Sequence, residues 1–273
     1  IIRNVDVLTG GFNAEYGGRI SAVIDVDTRD GNKNRFSGLV SANPFVSKFL
    51  LEGPIKKLDN TGNSISFILT GKHSYLNETA EILYDYAHEN EGVQDRVLPY
   101  NFTDFFGKVS VVGSSGSRFN LTAFNYSDNV DYSPIARYEW DAYGAGTSFK
   151  IVPGQSKAVI NGHLNYSYYR IDLSEAEEEP RYSSIGGFNL GMNFLYFLEN
   201  NSEIKYGVDI SGFSTKFEFF NNLGITIDQN QNTTELGGFV VYKKVTDKWV
   251  FEPSFRLQYY ASLGNVSPEP RLG

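Results

Sequence analysis

Side chains able to do chemistry are few and spread out in this chain. Its three histidines, His73, His88 and His163, stand far apart, with no H-E-x-x-H or comparable spacing, so no metal site is predicted. There is no cysteine, which excludes disulfides, thiolate metal sites and cysteine nucleophiles and leaves the redox compartment undetermined. The carboxylates fall in polar connections and on one side of strand-like runs, not as a converging pair or a Ser/His/acid set. A barrel-shaped hydrolase or a soluble glycosidase would need such a set, so no catalytic residue and no enzyme activity is predicted. What recurs instead is the flat aromatic ring. Tyr84, Tyr86, Tyr100, Tyr132, Tyr138 and Trp140 lie in or beside polar connections and are ligand-binding candidates, since such faces stack on sugar rings or catecholates. An interfacial girdle is the competing role. Glu175, Glu177, Glu178 and Glu179 make an acidic run, read either as a solvated loop or as an attractor for a cationic ligand or bridging divalent ions.

The elements that must carry these residues are strands. The chain has 273 residues, with 24 Lys+Arg against 32 Asp+Glu, a net charge of 24 − 32 = −8. No basic tract offsets that balance, and no nucleic-acid partner and no cofactor is predicted. Aromatics make up 15%, with 21 Phe, 18 Tyr, 27 Gly and one Met, a mixture that favours strands and turns over helices. The longest uncharged stretch, around Phe36 to Ser47, is broken by Ser, Asn and Pro, far short of the ~18 continuous apolar residues of a membrane helix. The first residues, Ile-Ile-Arg-Asn, lack a signal peptide's charged start, apolar core and cleavage site, and the sequence is read as a fragment or mature segment.

From residue 35 onward apolar residues recur at period two. Phe188, Leu190, Met192, Phe194 and Tyr196 alternate with Asn189, Gly191, Asn193 and Leu195. Trp249, Phe251, Pro253, Phe255, Leu257 and Tyr259 repeat the pattern, with Glu252, Ser254, Arg256 and Gln258 on the opposite face, while Ile204, Tyr206, Val208 and Ile210 alternate with Lys205, Gly207, Asp209 and Ser211. Such polar faces are costly in a dry sandwich and comfortable in a wet lumen. About eleven strands are expected, over 35–43, 45–53, 63–72, 101–113, 118–128, 137–152, 157–172, 184–198, 203–219, 233–244 and 249–260, with a twelfth starting near Pro268. Short turns at Ser114–Ser117, Pro153–Ser156, Glu199–Ser202 and Val245–Lys248 alternate with longer polar segments at His73–Tyr100, Asp128–Ile135, Leu173–Tyr182 and Asn221–Gln231. Short turns at one end and long loops at the other are the arrangement of an outer-membrane barrel. The alternative is a soluble β-sandwich or sugar-binding domain. One helix is expected over Asn77–His88, on the spacing of Ala80, Leu83, Tyr84 and Ala87. Residues 1 to 34 form a separate unit, two strand-like runs about a glycine-rich turn.

The segment Gly10-Gly-Phe-Asn-Ala-Glu-Tyr-Gly-Gly-Arg-Ile-Ser-Ala-Val-Ile-Asp-Val-Asp-Thr-Arg-Asp-Gly31 resembles the end of the plug domain of TonB-dependent outer-membrane receptors. Leu51-Glu-Gly-Pro-Ile55 is similar to that family's second barrel strand. Tyr100-Asn-Phe-Thr-Asp-Phe-Phe-Gly-Lys108, with His73-Ser-Tyr-Leu76 ahead of it, resembles the Bacteroidetes-type version, and Pro268-Glu-Pro-Arg-Leu272 a mid-barrel strand start. The resemblance implies an all-β, antiparallel transmembrane barrel of 22 strands closed around an N-terminal plug. Of that barrel about eleven strands are represented here: residues 1–34 as the C-terminal part of the plug and 35–273 as the N-terminal half of the barrel. It implies a place in the bacterial outer membrane, in contact with outer-membrane lipid, and import of a scarce ligand. An iron chelate, cobalamin, an oligosaccharide or a peptide would be moved with energy from the TonB complex, acting through a segment absent here. A surface lipoprotein lid is expected of the glycan-importing branch. The competing function is a passive porin or adhesin barrel, which would not require the unit of residues 1 to 34.

Within that frame Gly10, Gly11, Gly17 and Gly18 allow close approach at the plug exit, or simply a tight turn. Glu15 and Arg19 are candidates to meet lumen charges such as Glu52 and Arg256 as hydrated, exchangeable ion pairs, each contributing about 0–1 kcal/mol. Phe188, Leu190, Met192, Phe194, Phe251, Phe255 and Leu257 are expected to face lipid.

Overall fold

A computed structural model describes residues 1–18, 21–83, 100–132, 135–154, 156–175, 180–220 and 225–272. Two strands, β1 (Ile2–Leu8) and β2 (Val23–Thr28), pair antiparallel as a sheet of their own. All other strands form one antiparallel sheet. They are β3 (Ser37–Ala42), β4 (Val46–Lys56), β5 (Ser64–Ser74), β6 (Tyr100–Val112), β7 (Arg118–Tyr132), β8 (Ala136–Ile151), β9 (Ala158–Glu175), β10 (Arg181–Phe197), β11 (Ser202–Phe220), β12 (Thr226–Val245), β13 (Val250–Phe251), β14 (Pro253–Tyr260) and β15 (Asn265–Leu272). The sheet runs in chain order from β3 to β15, with β13 as a short extra rung on β12. Apart from that rung, every neighbour is the next strand in sequence, the up-and-down pattern that hairpin links alone can build.

The eleven expected strands and the start of a twelfth are all present. One run, 249–260, is divided at Glu252 into β13 and β14. The expected helix is present as α1 (Leu76–Leu83), and residues 84 to 88 lie outside the described residues. Among the described residues no helix is long and apolar enough to cross a membrane, which does not bear on crossing by strands.

Three expected long connections are corrected. Strand β7 continues to Tyr132 and β8 begins at Ala136; β9 continues to Glu175 and β10 begins at Arg181; β12 begins at Thr226. The described residues of Asp128–Ile135, Leu173–Tyr182 and Asn221–Gln231 are therefore largely strand. A ladder needs only backbone donors and acceptors in register, so it continues through residues whose side chains look loop-like. The interval between β5 and β6 remains the long connection.

One face of the sheet is identified by what lies against it. Glu52, Lys108, Lys205, Ser254, Arg256 and Arg271 each bond to residues 13–32 of the N-terminal segment. That segment reaches strands from β4 to β15, which in a flat sheet would lie about 50 Å apart at ~4.8 Å per strand. The sheet must therefore curl around it, and the face it meets is the inner one. Alternation then puts Phe188, Leu190, Met192, Phe255 and Leu257 on the outer face, all exposed, with Phe251 exposed on β13. Phe194 is half-buried because its ring stacks on Tyr206, centroids 5.3 Å apart.

The apolar set of β10, Phe188 to Tyr196, covers about 9 residues, or ~30 Å of strand at ~3.3 Å per residue; tilted, it makes a belt near 25 Å tall. Beyond it the pattern changes phase. On β11 the outward residues run Tyr206, Val208, Ile210 and then Lys216 and Glu218, while the inward ones run Lys205, Asp209, Ser211 and then Phe213, Phe217 and Phe219. On β8 the outward residues above Tyr143 are Asp141, Glu139 and Arg137, and the inward ones are Trp140 and Tyr138. The upper third of the sheet is thus charged outside and aromatic inside, the reverse of the belt below it.

Candidate functional site

The lower inner wall holds the N-terminal segment by charge. Arg256 is the centre of one cluster: its guanidinium lies 2.8 Å from Asp209, donates to Gln258 at 2.7 Å, and reaches the carbonyls of Ala14 and Glu15 at 3.4 Å each. The side chain is 2% exposed. Two glycines make room for it, since a Cβ at Gly17 would come within 2.1 Å of its Nε and one at Gly237 within 2.0 Å of an Nη. Here glycine is required for close approach, whatever its dihedral freedom. The Glu15 carboxylate pairs with Lys205. Arg271 donates to the carbonyls of Asn13 and Tyr16 at 2.9 and 2.7 Å.

A second cluster holds the exit of the segment. Arg29 pairs with Glu52 at 2.5 Å, and Glu52 also accepts from the Asn32 amide and the Ser37 hydroxyl. Asp30 sits 3.2 Å from Lys108 and 3.6 Å from Arg118 and accepts from Ser110 at 3.0 Å. Gly31 presses on β5 so closely that a Cβ would lie 1.9 Å from the Phe67 carbonyl oxygen.

These contacts correct the expected pairing. Glu15 meets Lys205, and Arg256 meets Asp209 and main-chain carbonyls, not the Glu15 carboxylate. Glu52 meets Arg29, and Arg19 lies outside the described residues. Nor is Arg256 hydrated: it is a buried cation, for which loss of one partner costs far more than at a surface pair. Lys205 and Asp209 stood on a strand's polar side in the sequence, but their partner was fixed only by which strands the segment crosses.

Asp30 makes the second cluster pH-dependent. Burial raises its pKa, but the Ser110 and Lys108 hydrogen bonds and the Lys108 and Arg118 charges outweigh that and lower it below the ordinary carboxylate value. A depressed carboxylate contributes stability above its unfolded pKa and loses it as pH falls through the folded one. Protection of residues 25–32 from protease should therefore weaken below about pH 4. Asp30→Asn should show the weakened level at neutral pH, with a flatter pH profile; an unchanged profile in that variant would remove Asp30 from the clamp.

Above the clamp the inner wall is aromatic. Tyr100 and Tyr132 share a hydroxyl hydrogen bond of 2.7 Å, with rings edge to face at 6.2 Å. Tyr138 and Trp140 stack 5.7 Å apart at 9°. All four point to the inner face at its upper end, away from the apolar outer belt. Tyr84 and Tyr86 lie outside the described residues, as do Glu177, Glu178 and Glu179; Glu175 pairs with Arg181, whose guanidinium lies 5.1 Å from the Phe219 ring centre. Lys72 pairs with Asp104 at 3.0 Å, and Tyr126 donates to Asp128 at 2.8 Å. These charges satisfy one another, so beside Lys48, exposed on the same face across from Lys72, the surface this wall offers is ring faces. The phase change marks Phe213, Phe217 and Phe219 as part of it, residues whose place inside a long strand-like run gave no sign of it in the sequence.

No family model matches the chain, and no curated protein sequence matches it. Solved structures match along its whole length. The FrpB iron transporter of Neisseria meningitidis superposes with a TM-score of 0.67 at 12% identity, over 99% of this chain and 48% of that one. A mutant of the ferric enterobactin receptor PfeA of Pseudomonas aeruginosa gives 0.65 at 13%, over 99% and 46%. The outer-membrane transporter YddB of Escherichia coli gives 0.63 at 11%, over 98% and 44%. The fold is that of the TonB-dependent outer-membrane transporters. The chain spans about half the length of these transporters. At such low identity the shared property is this transporter fold: a nearest-neighbour antiparallel barrel sheet wrapped around an N-terminal segment.

Proposed function

We propose that this chain is part of a TonB-dependent receptor of the bacterial outer membrane, a transporter and not an enzyme. Residues 1–34 are read as the end of its plug and residues 35–273 as the first half of its barrel. The receptor captures a scarce ligand on the aromatic inner wall and admits it when TonB-driven force displaces the plug. The iron and ferric ligands in the names of FrpB and PfeA put iron chelates among the candidates, beside cobalamin, oligosaccharides and peptides. A surface lipoprotein is a further candidate partner over the loop between β5 and β6.

The observation that carries this reading is the division of the inner wall. Charged residues fasten the N-terminal segment where the belt is apolar outside, and rings stand above it on the open side of the clamp. A passive porin has no use for a lumen segment held by Arg256, Lys108 and Arg271. Ion pairs suit a part that must move, because they re-form after displacement.

The test is native mass spectrometry with metal analysis on the full-length parent, purified from its own outer membrane under nutrient limitation. Stoichiometric iron with a small organic mass identifies a chelate importer; a metal-free oligosaccharide or peptide, or a co-purifying lipoprotein, identifies a nutrient importer. Trp140→Ala, which removes one of two stacked rings, should weaken retention of that ligand about tenfold. Retention of no ligand by the parent, together with free diffusion of small solutes through it in vesicles, would replace the transporter by a porin.

A further inference from the structure

The outer face carries a groove that plays no part in plug holding or ligand capture. It crosses β9 to β12 at the height where outward residues turn from apolar to polar. Tyr166, Phe188 and Thr234 line it at one level, Tyr168, Ser214 and Asn232 at the next, and Lys216 above them, around an open space of about 370 Å³, within the range of small-molecule sites. Two glycines hollow it out. A Cβ at Gly186 would come within 3.1 Å of the Tyr168 ring and one at Gly212 within 2.5 Å of the Phe188 ring, so rings lie across the strands where side chains would otherwise stand. Tyr143 stacks on Tyr168 at 5.2 Å and fixes that wall of the groove.

Charge is distributed unevenly at its upper rim. Arg170 is held by Asp172 through two bonds of 2.7 and 2.6 Å and lies 4.7 Å from the Tyr182 ring centre. Glu218 is engaged by the Tyr182 hydroxyl. Lys216 is exposed and pairs with no carboxylate among the described residues. The groove thus joins an apolar slot, directed along the lipid belt, to a free ammonium with hydroxyl and amide groups beside it at the polar level.

Resting on the reading that this sheet spans the outer membrane, we propose that the groove is a lipid site: it seats one acyl chain of a phosphorylated lipid from the surrounding leaflet. Lys216 meets the phosphate, and Ser214 and Asn232 meet the head-group oxygens. An ammonium on a flexible stem at the membrane interface is suited to that contact. A walled slot also distinguishes this from the lipid that coats any barrel, because a chain lying in it touches ring faces on more than one side.

The test uses the full-length protein, extracted from outer membranes in mild detergent, stripped of lipid and offered phosphorylated lipid A or its dephosphorylated form. Bound lipid is counted by native mass spectrometry, and folding is checked by the heat-sensitive gel mobility of barrels. One phosphorylated lipid per chain is expected, bound about tenfold more weakly by Lys216→Glu and not retained by Ser214→Trp, whose ring fills the slot. Dephosphorylated lipid should bind Lys216→Glu and the unaltered protein alike. Val208→Trp, on the same outer face but outside the groove, should retain lipid normally. Equal retention by Ser214→Trp, or equal loss in Val208→Trp, would overturn the site and leave the membrane reading standing. Recovery of the unaltered protein outside the membrane fraction would overturn both.

Discussion

Arg256→Ala is expected to release residues 13–17 from the barrel wall while the sheet itself still assembles. The substitution leaves Asp209 facing a space that Gly17 and Gly237 cannot fill, and it strips the carbonyls of Ala14 and Glu15 of their donor. Removing one partner of a buried pair costs about 3–5 kcal/mol; Asp209 keeps a little solvent contact, so the lower end of that range applies. Cysteine labelling or limited proteolysis at residues 13–17 in intact outer membranes would read the release directly. Arg256→Lys should recover only part of the protection, because an ammonium lacks the planar fork that serves Asp209, Gln258 and two carbonyls together. Asp209→Asn alone and with Arg256→Ala completes a cycle in which the double variant loses less than the sum. Unchanged protection in Arg256→Ala would mean that Arg271 and Lys205 hold the segment without it.

Leu190→Arg and Phe255→Arg should each impair barrel assembly, with a cost of about 2–4 kcal/mol for a charge near the middle of the bilayer. Both side chains are exposed on the outer face within the apolar belt, Leu190 opposite Leu164 and Ile210, and Phe255 opposite Val240. The inward neighbour gives the contrast. Asn189 bonds His163 and Ser211 on the lumen side, and Asn189→Leu should cost those hydrogen bonds, about 1 kcal/mol each, without blocking insertion. The measurement is the folded fraction in outer-membrane preparations. Normal assembly of Leu190→Arg beside failure of Asn189→Leu would invert the two faces.

The strands, their order and the outward set Phe188, Leu190, Met192, Phe194, Phe255 and Leu257 were all legible as period-two alternation, because each strand's side chains obey the same two-sided environment and the links are short enough to force neighbour pairing. The same alternation misled beyond the belt. At Leu173–Tyr182 and Asp128–Ile135 polar residues suggested loops, yet the backbone ladder continues through the described residues and the faces trade character, with charged side chains outside and rings within. A reading tuned to apolar-outside strands stops where the phase reverses.

Local pattern also determined that Glu15 and Arg256 carry charge into a lumen, and that glycines crowd the segment between Gly10 and Gly18. It did not determine that Arg256 takes its anion from Asp209, that Glu15 takes its cation from Lys205, or that Gly17 and Gly237 exist to admit one guanidinium. Those partners lie 47 residues apart, 190 residues apart and on three separate stretches of the chain. Periodicity fixes which face a side chain takes, since that depends on its nearest neighbours along the chain. Which charge it meets depends on how far the sheet curls and where the N-terminal segment crosses it, and that is decided only when the whole wall has closed on the segment.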